Sequence, residues 1–141
     1  RSLLLPRASG DLPDATAHEI GLQFMVPQVA IKVWGVADEY AQSPWAQGVS
    51  EDAKIFASSL TAPFCGVNSG FEAVSWLANP AAAMSIALMP LRTGVLNSPS
   101  PAFGMLVLAS PDGQRFESAM GTDFLERIAE LAGAALSRLR V

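Results

Sequence analysis

Positive charge is scarce in this chain of 141 residues. It has nine lysines and arginines against thirteen acids, and only two of the nine, Lys32 and Lys54, are lysines. Binding a phosphate backbone draws on clustered cationic side chains, and no cluster occurs, so direct nucleic-acid binding is not expected. Cysteine and histidine are each represented once, by Cys65 and His18. A lone cysteine cannot close an internal disulfide, and His18 beside Glu19 lacks the spaced partners of a metal centre. Long apolar runs are missing as well. Ala73 to Leu91 is free of charge but is divided at Asn79-Pro80, and Thr93 to Pro111 carries Pro99 and Pro101. Neither offers the roughly 20 continuous helical residues of a membrane span, so membrane insertion is not expected.

What the chain does have is apolar residue. Half of it is hydrophobic and 16% is charged, where about 25% is usual. Apolar surface on that scale argues against disorder, and the length suits one domain that buries roughly 68–70% of its unfolded surface. The shortage of charge also suggests that a partner covers some apolar surface. Residues 1–13, with Leu3-Leu4-Leu5 ahead of Pro6 and Gly10, read as a tail or residual linker, and residues 14–141 as the domain. Because the chain opens on Arg1 rather than Met, it reads as part of something longer, with any upstream segment or targeting signal out of view.

The pattern predicts a helix from Asp14 to Phe24, capped by Asp14 or Thr16. A strand follows over Val26 to Val36, with Val29, Ile31 and Val33 on one face and Ala30, Lys32 and Trp34 on the other. Ser50 is placed to cap a helix running to Leu60, with Glu51 and Asp52 against its N-terminal dipole. Ala62 to Val67 reads as a short strand, and Phe71 to Ala78 as a helix stopped by Pro80. Met84 to Leu91 and Phe103 to Ser110 are the clearest strands, joined by a long loop and followed by a Ser110-Pro111-Asp112-Gly113 turn. The last helix starts at Thr122. Leu125, Ile128, Ala132, Leu136 and Leu139 form its stripe, widened by Phe124, Leu131 and Ala135. The small residues Ala132 to Ala135 would allow a second helix close, so Leu125, Ile128, Ala132, Ala135, Leu136 and Leu139 are the expected homodimer interface. Docking of that helix on its own sheet is the competing reading.

No catalytic residue stands out. Cys65 has no flanking charge to stabilise a thiolate, and a buried structural thiol explains it better. Glu126 and Glu130, one turn apart, suit a solvated helix face. Gly66 to Gly70 lacks the Lys-Ser/Thr of a phosphate loop. A small-molecule pocket is the sharper idea. Ser85, Ala87 and Met89 share a strand face, and an even register would set Met105, Val107 and Ala109 opposite, with Phe64, Cys65, Phe71 and Trp76 over them. Lys32 and Trp34 could read a flat anionic ligand by charge and stacking. Ordinary core packing explains the same residues.

Several words of the sequence resemble one family. They are Phe64-Cys65-Gly66, the strand Met84 to Leu91, the strand Phe103 to Ser110, and above all Arg115-Phe116 followed by Met120-Gly121-Thr122-Asp123-Phe124-Leu125. Together they resemble the GAF-like half of the bacterial domain of unknown function 484 family, from about Thr16 onward. The resemblance implies an α+β fold with a five- or six-stranded antiparallel sheet flanked by helices, dimeric and cytoplasmic. GAF domains as a class bind small molecules or only dimerise, and fold alone does not choose between these. The expectation is therefore a non-enzymatic sensory or regulatory domain that dimerises and has room for a small-molecule ligand, with its cofactors unknown. The alternative is a purely structural dimerisation or protein-interaction module.

Overall fold

The computed structural model describes residues 12–36, 42–67, 71–92, 101–116 and 123–136. Four strands form one antiparallel sheet: β1 (Gln28–Val33), β2 (Phe64–Val67), β3 (Ser85–Leu91) and β4 (Gly104–Ser110). Their order is β1-β4-β3-β2, with the two late strands at the centre. This corrects the expected five or six strands, since the described residues supply four. Three helices flank the sheet: α1 (Leu12–Gln23), α2 (Glu51–Ser59) and α3 (Asp123–Leu136).

All seven residues of β3 and all seven of β4 are buried, so apolar side chains are accommodated above and below the sheet. On one side Ile31, Val33, Cys65, Ala87, Met89, Leu106 and Leu108 pack with α1, α3, Trp45, Phe103 and Phe116. On the other, Ile86, Leu88, Met105, Val107 and Ala109 pack with α2 and the short 3-10 turns Glu72–Trp76 and Pro80–Ala82. Pro90, which cannot donate to a ladder, lies past β2, whose first pair is Phe64 with Leu88. A proline fits there because β3 has become an edge.

Local chemistry explains most element ends. Ser50 caps α2 as its side chain accepts from the Ala53 N–H at 3.1 Å. In α1, Leu12 and Pro13 are buried in the first turn, two residues ahead of the expected start, so neither Asp14 nor Thr16 is the cap. Proline is tolerated there because the first-turn N–H groups have no intrahelical acceptor. The expected helix over Phe71 to Ala78 is a 3-10 turn, closed by Val74 N–H to Phe71 and Leu77 N–H to Val74. Pro80 follows too soon for longer helix. The Ser110 to Gly113 turn forms, with Asp112 N–H donating to Ser110 Oγ at 3.1 Å and Gln114 N–H to Asp112 Oδ1 at 2.9 Å.

Two arginines close helix ends from elsewhere in the chain. Arg115 spans the C-terminus of α1, donating to the carbonyls of Phe24 and Met25 at 3.0 Å each. Its neighbour Phe116 is buried, so this pair anchors the turn after β4 onto α1. Arg92, itself buried, donates to Ser58 O at 2.5 Å and Leu60 O at 2.6 Å at the end of α2. Orphan helix carbonyls are suitable acceptors for a guanidinium, and the dipole favours its charge there.

Glycine matters where elements nearly touch. A Cβ on Gly133 would stand 2.7 Å from the Arg92 carbonyl oxygen, and one on Gly104 would stand 2.6 Å from that of Lys32. Gly133 thus lets α3 lie against the end of β3. The small residues of α3 serve this intrachain approach. Leu125, Ile128, Ala132, Ala135 and Leu136 are all buried in the chain's own described structure. Leu125, Ile128, Ala132 and Leu136 pack in the core shared with the sheet and α1, as the competing reading of a helix docked on its own sheet expects. Leu139, the sixth of that set, lies outside the described residues.

Candidate functional site

The β3–β4 register decides which candidate residues can meet. Ala87 pairs with Leu108, Met89 with Leu106 and Ser85 with Ser110. Ser85, Ala87 and Met89 therefore face α1 and α3, whereas Met105, Val107 and Ala109 face the opposite side. The expected even register is corrected by one residue, which moves a whole set of side chains across a sheet.

The nine candidate ligand residues consequently divide. Cys65, opposite Ala87, joins Ala87 and Met89 in the core beside α1 and α3. Ser85 is used structurally: its hydroxyl donates to Asp112 O at 2.6 Å and accepts from the Phe116 N–H at 3.3 Å. Trp34, Phe64, Phe71 and Trp76 pack on the α2 side, and Lys32 shares that face by strand alternation. Lys32 Nζ donates to the Gln47 carbonyl at 2.8 Å, and Trp34 Nε1 to the Ala102 carbonyl at 2.9 Å. Burial pulls the Lys32 pKa below the ordinary lysine value, with the Asp14 carboxylate opposing that shift. Burial pushes the Cys65 thiol up, which disfavours a reactive thiolate.

On the α2 side there is a hollow of about 140 Å³ lined by Asp52, Ala53, Phe56, Phe71, Glu72, Ala73, Leu88 and Met105. Leu88 and Met105 form its floor on the sheet. Phe56 and Phe71 are stacked with centroids 5.8 Å apart, and Phe64 meets Phe71 edge-on at 5.1 Å. Asp52 and Glu72, both exposed, stand at its rim. Glu72 accepts from the Ser50 N–H at 3.0 Å and from the Ser50 hydroxyl in a short contact. The hydroxyl, then the N–H, hold the Glu72 carboxyl below the usual range, against a small opposing effect of burial. A side-chain carboxylate thus already occupies the N-terminus of α2, where a helix attracts anions.

Of the nine candidates only Phe71 lines this hollow. Ala53 and Phe56 are one helical turn apart, and that spacing is the signal in the sequence that could have pointed to them. A wider and shallower hollow of about 440 Å³ runs along α1 and the start of β1, lined by Asp14, Ala17, His18, Gly21, Leu22, Val26, Pro27 and Val29. It has no aromatic wall. Among the described residues no group of three or more His, Cys, Asp or Glu could hold a metal ion, and no helix is long and apolar enough to cross a membrane.

An antiparallel sheet with α1 and α3 on one side and a helix with 3-10 turns on the other defines a GAF-like α+β domain. Two solved structures share it. The GAF domain of a protein assigned as a sensor histidine kinase from Pseudomonas syringae pv. tomato superposes with a TM-score of 0.53 at 15% identity, covering 96% of this chain and 79% of that one. A far-red cyanobacteriochrome photoreceptor gives 0.57 at 15% identity, covering 100% and 91%. Residues 27–141 match the family described as Protein of unknown function, DUF484, and the chain belongs to that family. No curated protein matches it by sequence.

Proposed function

We propose that this domain is a sensory or regulatory module without catalytic chemistry of its own, and that the hollow beneath α2 is its ligand bay. The half-open apolar hollow walled by Phe56 and Phe71 supports this most directly. Sensor proteins among its structural neighbours support the regulatory part as an analogy of fold. A cytoplasmic setting belongs to the same proposal. Drug-sized ligands occupy about 300–1,000 Å³, so the bay suits something smaller than a nucleotide or tetrapyrrole. A thermal-shift screen should raise Tm with small ligands as RT ln(1 + [L]/Kd) requires, about 2.7 kcal/mol at a hundredfold excess over Kd. Absence of any rise across single-ring compounds, nucleotides and tetrapyrroles would refute the bay.

The second reading, a structural dimerisation or interaction module, draws on the bay's small volume. A homodimer forms part of both readings. Since the inner stripe of α3 is taken up by its own core, the dimer would use outward residues such as Leu131, which is 47% exposed. Sedimentation equilibrium at micromolar concentration tests this, and a purely monomeric mass would refute it.

A further inference from the structure

We infer that the bay under α2 selects small compounds carrying a single apolar ring and a positive charge, and rejects anions. This rests on the bay reading above and adds the class of ligand. Three observations carry it. The volume of about 140 Å³ is close to the roughly 150 Å³ of an engineered apolar cavity that takes up benzene, so one ring fills it. The floor and walls, Ala53, Phe56, Phe71, Ala73, Leu88 and Met105, carry no side-chain donor for a polar ring.

The only charges among the lining residues are the carboxylates of Asp52 and Glu72, so a cationic head on the ring meets complementary charge at the mouth. The Phe56 and Phe71 rings can add attraction for a cation over their faces. Anion binding is disfavoured for a separate reason: Glu72 already holds the N-terminus of α2 through Ser50. Lys32 neighbours Met105 in the strand register, but its ammonium turns to the Gln47 carbonyl and does not line the bay.

Benzylamine, benzyl alcohol and benzoate separate ring from charge. Each would be titrated into the whole chain at neutral pH and low salt, following amide and methyl NMR shifts at Ala53, Phe71, Leu88 and Met105. Benzylamine should bind about fivefold more tightly than benzyl alcohol, the scale of a modest cation–π or rim-charge contribution. Benzoate should bind most weakly. Asp52→Asn, at an exposed site, should shrink the ratio of amine to alcohol affinity, and Ala53→Met should abolish both by filling the bay. Equal affinity for amine and alcohol, or preference for benzoate, would overturn the charge selectivity and leave the bay intact. No shift with any of the three would instead sink the bay itself. The wild-type comparison decides without either variant.

Discussion

The two faces of this sheet are built by the same two strands, β3 and β4, yet they close in different ways. Toward α1 and α3, long regular helices press onto Ala87, Met89, Leu106 and Leu108, and Gly133 lets α3 touch the backbone of Arg92. Toward α2, the cover is a nine-residue helix and two 3-10 turns, and it leaves a hollow between Ala53, Phe71, Leu88 and Met105. Among the described residues, each face also carries one buried polar atom without a hydrogen-bond partner, Thr16 Oγ1 on α1 and Trp76 Nε1 in the turn Glu72–Trp76. Regular helices fill space in continuous ridges, whereas short turns meet a sheet at separate points. One face is closed, and the other keeps open space beneath its cover.

Leu108 and Leu88, both fully buried, allow the most forceful test of that contrast. Leu108→Ala should lose about 3–5 kcal/mol of urea-unfolding free energy, the range for a closed core that relaxes little. Leu88→Ala should lose less, about 2–3 kcal/mol, because it enlarges an existing hollow, and it should admit larger ligands. Equal losses, with no change in ligand size, would erase the distinction. Next in size, Gly133→Ala forces a methyl against backbone atoms that cannot yield, so it should cost about 1–3 kcal/mol. A neutral result in chemical denaturation would show that α3 does not rest on Arg92.

Thr16→Val keeps the shape and removes an orphan hydroxyl, and should raise stability by about 1 kcal/mol in the same assay. Destabilisation would mean that the hydroxyl has a partner after all. The smallest effect belongs to the bay side. The Ser50 hydroxyl and N–H hold the folded Glu72 carboxyl below its ordinary value. Its contribution is therefore complete above that ordinary value and disappears as the pH falls through the lower, folded one. Glu72→Gln should make the acid limb of the unfolding-midpoint profile shallower, and parallel profiles for the two proteins would refute the role of Ser50.

How much of this could be read from the residues depended on whether each signal was local. Ser50 and its helix, the alternation of Val29, Ile31 and Val33, and the Ser110 to Gly113 turn all follow from contacts a few residues apart. The β3–β4 register did not. Both strands are apolar on both faces, so alternation carries no information about which side is which, and the long connection does not pin the pairing. The α3 stripe was ambiguous for a related reason. A helix wedged between its own sheet and α1 needs as broad an apolar surface as one that dimerises. The bay's residues come from α2, a turn and two strands, and only the folded chain brings them together. Phe71 was anticipated as part of a cover, and Met105 as part of a floor shared with the wrong strand partners.

Arg92 sits where these differences converge. Its backbone is the seat on which Gly133 rests, while its guanidinium grips the last carbonyls of α2 across the thickness of the sheet. One residue is thus clamped by cover from both layers, like a pin through a laminate. Lifting the end of α2 would pull on the site that supports α3, so the cover of the hollow and the long helix are tied to one anchor.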